Sequence, residues 1–571
     1  MSLKAHNRRF GAIIIPTNPI DSPQAQDSTE GCPNPYYYNT FTATDFEAYE
    51  QRLYNKMSSE IRSSRSTTRD DNTGSVVRNR SRSPKGETPA TSAVTLASGS
   101  TATTAAVFEN VKLEEGEDED GLDEVAFTEL PDKKYPVVVR NLRHKLLIVY
   151  RRLFTIVLGS NLVAFIWLIC HYRSINIPAS PLATATACNF MLAILIRQDY
   201  INNAIYDGFR LTPLWTPLKL RRIVAKCYEN GGVHSGAAVS GSIWYVLLTA
   251  VLTYQFAKGQ FAVAAPVVLA LTYTIFTLLV AILIFAYPAM RAKRHNWFEY
   301  VHRFAGWSVV AIFWAEVLLL AENNRIANNI TLGNAVILEP SFWCQIIISI
   351  HLIYPWFLLR KIPFKSENLS NHAIRLTFSE KMGQFRGVAL ATTALGQYHA
   401  FATFPNPTEA DPHGHSIVLS NAGDWTKAQM GDNQEREYYL RGLPKAGVLA
   451  MATVFRKCVL VCTGSGIGPI LSFINLNDAD RTDCRVIWSA PNPLKIFGQS
   501  TMDMVKKADK DAIIWNTKEQ GRPDMLRMTY DLYKQSGAEA VFVISNPSLT
   551  KMIVYGLESR GVPAFGPIWD S

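Results

Sequence analysis

Apolar residues along this chain gather into six long blocks, 153–170, 174–196, 234–257, 261–289, 304–321 and 341–359. Beyond the last block they thin into short runs broken by turn residues. A helix of about 20 apolar residues crosses a bilayer, so the blocks predict six membrane spans. The fifth is interrupted by Glu316. An acid inside a span is a functional candidate, or else the partner of a buried polar group or an interfacial residue. Residues 1–135 show no such period. Ser58 to Thr104 is rich in Ser, Thr and Arg, and an acidic run follows from Glu114 to Glu124. Such stretches bury too little apolar surface to offset ordering entropy, which predicts a disordered tail. After the blocks, His372–Phe378, Phe385–Thr393 and Ser416–Ser420 predict strands of a small β-barrel. From Lys457, short apolar runs at 458–463, 485–489, 512–515 and 540–545 alternate with helical stretches, the pattern of a parallel α/β sheet. The expected domains are 1–135 (tail), 136–362 (six spans), 363–450 (barrel) and 451–571 (α/β).

Charge orients the spans. Arg140, Arg143, Lys145, Arg151 and Arg152 precede the first. Arg197, Arg210, Lys219, Arg221, Arg222 and Lys226 lie between the second and third, and Arg291, Lys293 and Arg294 between the fourth and fifth. Arg360, Lys361 and Lys365 follow the sixth, while the alternate loops carry only Arg173, Lys258 and Arg325. Positive loops stay inside, so both termini of this multi-pass protein are expected in the cytosol. The 322–340 loop then lies outside with the sequon Asn329-Ile330-Thr331, which predicts a glycoprotein. The net charge of +9 sits largely beside the apolar blocks, which argues for lipid as partner and against nucleic acid. The eight cysteines include no CxxC pair, and Cys458 and Cys462 read as small buried apolar residues.

The α/β region opens on KCVLVCTGSGIGPILSFIN, residues 457–475. An apolar strand breaks into Gly464-Ser465-Gly466-Ile467-Gly468-Pro469, and a helix-like run begins at Ile470. Strand, glycine turn and helix start let backbone N–H groups approach a pyrophosphate. Pro469 suits the first helical turn, where its missing N–H costs nothing. Gly464, Ser465, Gly466 and Gly468 are thus expected to line the phosphates of a nicotinamide nucleotide.

Six spans, a barrel and a GSGIGP α/β domain together resemble the ferric reductase / NADPH oxidase superfamily, and most of all the fungal TmpL-type membrane flavoproteins. The C-terminal part is also similar to that of fungal synthetase-like adenylate-forming proteins. The resemblance runs over about 140–571. It is carried by GDWT (423–426), GSGIGP (464–469), GRPD (521–524), ISN (544–546) and GVPAFGPIWDS (561–571). It implies a six-helix bundle followed by a ferredoxin-reductase-like module. No adenylation is expected, because the tail stands where those relatives carry an adenylating domain. The superfamily's flavin-holding strand motif matches Tyr398-His399-Ala400-Phe401-Ala402, keeping His399 and Phe401 but lacking the proline and the hydroxyl residue. Arg522, Pro523 and Asp524 are placed near the nucleotide; Arg522 is a phosphate partner or a surface ion-pair residue. Ser545 stands beside the hydride path where the family commonly has cysteine. Trp569, with Phe565 second, is the aromatic that covers the flavin ring, or else packs the last strand.

Transmembrane reductases of this superfamily carry two histidine pairs for two haems. Here His234 and His302 lie at the cytosolic ends of the third and fifth blocks, and the positions nearly four turns on hold Leu247, Leu248, Ala315 and Glu316. The expectation is at most one inner haem between His234 and His302, the alternative being helix capping or headgroup contact. The function expected is a membrane-anchored flavoprotein oxidoreductase. NAD(P)H would pass a hydride to FAD on the cytosolic side, with NAD versus NADP open and the electron acceptor unknown. The alternative is a catalytically degenerate redox sensor or scaffold. A transporter finds no support in repeats or broken spans.

Overall fold

The computed structural model describes residues 129–172, 177–406, 414–431, 434–473 and 482–568. The Ser-rich and acidic stretches of the expected tail lie outside them, as does Trp569. Residues 129–135 belong to the fold rather than to the tail. Leu130 packs on the α/β core, and the Pro131 carbonyl accepts from Arg560 Nε at 2.8 Å.

The apolar blocks form helices α1 (Val149–Tyr172), α2 (Ala179–Leu195), α4 (Gly231–Ala257), α5 (Ala265–Ala286), α6 (His295–Asn328) and α7 (Pro340–Phe357), with an amphipathic α3 (Asp199–Arg210) after α2. Among the described residues, four helical runs are long and apolar enough to cross a membrane: Val149–Tyr172, Leu218–Ala257, Ala265–Ala286 and His295–Asn328. Two of the six expected spans fall short of that measure. Helix α2 has 17 residues and bends by 64° into α3 at Ile196–Gln198. Helix α7 has 18, with Gln345, His351 and an internal Pro355 diluting its apolar face. Counting the bent pair as one span raises the number to five.

The run Leu218–Ala257 has 40 residues, about 60 Å of helix against a hydrocarbon core of about 30 Å. Its first part carries the soluble module. The buried Arg221 donates to both oxygens of Glu539, at 2.7 and 3.0 Å, and to the carbonyls of Val454 and Thr216. Helix α3 meets the barrel: Asp207 and Asn203 accept from Arg386, and Asp199 pairs with Lys445.

The barrel is a nearly closed antiparallel sheet of β1 (Arg360–Ser370), β2 (Ala373–Phe378), β3 (Arg386–Ala391), β4 (His399–Ala402), β5 (Phe404–Pro405), β6 (His415–Ser420), β7 (Glu435–Leu440) and β8 (Lys445–Ala446), in the order β4-β3-β7-β1-β2-β6-β5 with β8 on β3. Alternate residues Ile374, Leu376, Phe378, Ile417 and Leu419 fill its interior with Phe364 and Tyr438. A short α8 (Asp424–Gln429) follows β6.

The α/β domain holds β9 (Lys457–Thr463), β10 (Asp483–Ala490), α9 (Gln499–Ala508), β11 (Ile513–Asn516), α10 (Met525–Ser536), β12 (Ala540–Ile544), α11 (Pro547–Glu558) and β13 (Ala564–Phe565). The strand order is β11-β10-β9-β12-β13, all parallel. Strands β9 and β12 are buried on both faces, as parallel strands under helices must be. Asp524 caps α10 and Gly537, at φ +65°, ends it; Asn546 and Pro547 start α11. Arg375 on β2 reaches Ser500 and Thr501 at the start of α9, at 2.8 and 2.9 Å, and joins the two sheets.

Candidate functional site: a glycine turn at the sheet crossover

Chain order reverses between β9 and β12, since β10 and β11 lie to one side and β13 to the other. In open parallel sheets the carboxyl ends at such a reversal form the binding crevice. The turn Gly464–Gly466 leaves β9 there, and Ser545 leaves β12. Gly464 has φ +52°, which a side chain resists. A Cβ on Gly466 would run into the carbonyl of Ile544, so only glycine lets the two strand ends approach this closely. Thr463 Oγ1 and Ser545 Oγ share a hydrogen bond at 2.5 Å, and Trp488 Nε1 donates to the Gly464 carbonyl at 2.9 Å. Gly468 has open space where a side chain would stand.

The helix expected from Ile470 is different. A single turn, Ile467–Ile470, contains Pro469 and tightens into a 3₁₀ turn at Leu471–Phe473. The N–H groups of the Gly464–Gly466 turn are the donors nearest an anion at this crevice.

Gly521-Arg522-Pro523-Asp524 follows β11, two strands from β9 on the same sheet edge, about 10 Å away. Gly521 has φ +72°, and its carbonyl accepts from Trp515 Nε1. Asp524 is committed to capping, accepting from Arg527 N at 3.1 Å, so its role is to shape the loop. Arg522 is exposed and has no ion pair among the described residues. Lys495, after β10, is exposed on the same edge.

On the barrel, His399 and Phe401 occupy one face of β4 and stack on Trp425 of α8. The ring centroids are 4.5 Å apart at 26° and 5.9 Å apart at 28°. Among the described residues, His399 Nε2, Trp425 Nε1 and Glu299 Oε2 at the start of α6 are buried without a hydrogen-bond partner. Burial pulls the His399 imidazole below its ordinary pKa, the Glu299 carboxylate pulling the other way. Phe565, the second candidate to cover a flavin, is fully buried in β13 and stacks on Phe542 at 4.9 Å. It serves the core and cannot cover a ring in the crevice.

His234 and His302 come together from α4 and α6, with ring centroids 6.1 Å apart and planes tilted by 42°. Two imidazoles gripping one metal at about 2 Å put their centroids roughly 6 Å apart. His234 Nδ1 lies 2.9 Å from the Ala193 carbonyl of α2; donating there leaves Nε2 as the free acceptor. Glu316 lies in the bundle core, accepting from Thr272 Oγ1 at 2.6 Å and Tyr245 Oη at 2.9 Å. It is a buried acid with partners, one of the readings its sequence left open.

Trp425, Thr463 and Glu299 were not assigned roles from sequence. GDWT marked Trp425 only as part of a block. Nothing local announces that Thr463 meets Ser545 across a β9–β12 pairing of distant segments.

Residues 448–571 match the family described as Adenylate-forming reductase 03009, C-terminal domain. Adenylate-forming reductase 06235 of Coprinopsis cinerea is 40% identical over 446 residues, which is 78% of this chain and 42% of that protein. Adenylate-forming reductase 03009 of the same fungus is 40% identical over 444 residues, 77% of this chain and 42% of that protein. The chain thus spans under half the length of the curated relatives it matches. A ferredoxin NADP+ reductase from Neisseria gonorrhoeae with bound FAD and NADP aligns at 14% identity and TM-score 0.30, covering 37% of this chain and 99% of its own. A flavohemoglobin from Malassezia yamatoensis with bound FAD and heme aligns at 14% identity and TM-score 0.32, covering 68% of this chain and 97% of its own. At that overlap, what those proteins bind remains a property of those proteins.

Proposed function

We propose that this chain is a membrane-anchored, NAD(P)H-dependent flavin reductase, its nucleotide entering at the β9–β12 crossover. The observation that carries the reading is the convergence of the Gly464–Gly466 turn and Ser545 at that reversal, in a domain that Arg375 ties to a barrel. When bound, nicotinamide, flavin and haem supply the hydride chemistry and its division into single-electron steps. The chain's own residues position and shield. Gly464 and Gly466 keep the turn flat enough for backbone N–H groups to meet a pyrophosphate. Lys495 and Arg522 offer cations on the same edge for a further phosphate. The Thr463–Ser545 hydroxyl pair gives the crevice floor a polar, proton-bearing surface.

For the flavin, Trp425 stacked over His399 and Phe401 offers an aromatic face, and His399 Nε2 and Trp425 Nε1, without a hydrogen-bond partner among the described residues, offer polar atoms for a ring bearing hydrogen-bonding edges. A single haem would be held by His234 and His302, whose ring spacing and Ala193-oriented tautomer leave imidazole nitrogens to bind iron, and it would supply one-electron transfer. In this reading the shorter α2 and α7 cross as well, which puts both termini in the cytosol and Asn329, exposed at the end of α6, on the opposite side. The reductase half of the relatives' name agrees with this assignment.

An absorption spectrum of the purified full chain, taken before and after anaerobic NADPH, tests it. Flavin bands that bleach on NADPH are expected, with a Soret band if the histidine pair holds haem. A colourless, folded protein overturns the reading. A second reading, a nucleotide-binding redox sensor, is favoured by Ala400 and Ala402, which leave β4 without a hydroxyl. Steady NADPH consumption with artificial electron acceptors rejects it.

A further inference from the structure

Helices α2 and α7 pack face to face. On α2, Ser180, Thr184 and Cys188 are spaced at four-residue intervals and so share one face. Glu339, preceding α7, accepts from Ser180 at 2.8 Å and Thr184 at 3.3 Å, which holds the register of the two helices. One turn further on, Cys188 Sγ and Cys344 Sγ lie 3.6 Å apart. The two thiols are separated by 156 positions in the chain. We propose that Cys188 and Cys344 are a redox-active pair that an organic hydroperoxide converts to a disulfide within the membrane bundle.

The geometry sets the roles. Closing the sulfurs to about 2.05 Å takes roughly 1.5 Å of movement, within reach of side-chain rotation. Cys188 is exposed on the bundle surface and Cys344 is buried. Cys188 is therefore the attacking sulfur. Its thiolate attacks the outer peroxide oxygen; the S–O bond forms, the O–O bond breaks, and an alcohol leaves after taking a proton. Cys344 then attacks the sulfenic sulfur; the S–S bond forms and water leaves. The two sulfurs lose two electrons and two protons, and the peroxide is reduced to alcohol and water. A lipid-soluble peroxide suits an exposed face on an apolar helix.

The bond would link two tethers of the reductase module. Helix α7 runs within three residues into β1. Helix α2 carries the Ala193 carbonyl that orients His234, and it leads into Asp199, which accepts from the Leu443 N–H of the barrel. Oxidation would clamp these supports together. The proposal does not depend on any cofactor being bound.

The test uses the full chain in lipid nanodiscs, treated with cumene hydroperoxide, blocked with N-ethylmaleimide, digested and read by mass spectrometry. A peptide pair joined at Cys188 and Cys344, two hydrogens lighter than the separate thiols and restored by dithiothreitol, is expected. In Cys344→Ser, dimedone should trap a sulfenic acid at Cys188. In Cys188→Ser, Cys344 should stay a free thiol. Full alkylation of both cysteines in the peroxide-treated wild type overturns the proposal, as does a dimedone adduct on Cys188 with Cys344 present. Both results come from unaltered protein, so a misfolded variant cannot mask them.

Discussion

Gly466 sits where two strand ends nearly touch, and Arg522 stands free at the edge of the same crevice. They predict opposite behaviours. Gly466→Ala drives a methyl into the Ile544 carbonyl. Overpacking of that kind costs about 1–3 kcal/mol, so the melting temperature and nucleotide affinity should fall together, read by calorimetry. Arg522→Ala removes an exposed side chain with no ion pair among the described residues. Its stability change should stay within about 0.5 kcal/mol. If it pairs with a phosphate, NADPH affinity should fall by about 1.5–3 kcal/mol, tenfold or more, measured by titration. The glycine turn was legible from its spacing alone. Trp425 was not, because its stack on His399 depends on a helix 26 positions away in sequence folding back over β4.

At the scale of elements, the soluble module is held by a few buried charges. Glu539→Ala leaves Arg221 buried without its carboxylate. Breaking a buried pair costs several kcal/mol, and partial exposure of Glu539 lowers this to about 2. Hydrogen exchange should then quicken in the helix Leu218–Val224 and in β9. Glu558 on α11 is a second clasp, with Lys226 at 2.7 Å and His144 at 3.1 Å. Burial acts to raise its pKa, but His144 and Lys226 outweigh this and hold it below the ordinary carboxylate value. A depressed acid contributes stability that is full above its unfolded value, about 4.3, and lost as pH falls through the lower folded value. Exchange protection of residues 136–147 should therefore hold at pH 6 and drop below about pH 4. The helical stretch between β11 and β12 could be read from sequence, but not the capping of α10 by Asp524, which the sequence places near the nucleotide.

Across the whole molecule, α6 meets the barrel where Glu299 lies near His399 and Arg303 donates to the carbonyls of Leu395 and Gly396. His234→Ala or His302→Ala should abolish any haem absorbance while leaving any flavin absorbance, since His399 and Phe401 lie on the barrel and not in the bundle. Loss of both together would show that the histidines support the fold instead of a metal. The order of apolar blocks, barrel strands and α/β units was determined by the sequence alone. Hydrophobic period and turn residues are local properties, and each segment must bury or expose its own surface. Tertiary structure decided the rest. How many blocks are long enough to span, the 64° bend after α2, the Thr463–Ser545 contact and the approach of Cys188 to Cys344 all depend on which distant segments pack together. Those pairings are settled by the shapes of whole faces, which no single stretch of chain contains.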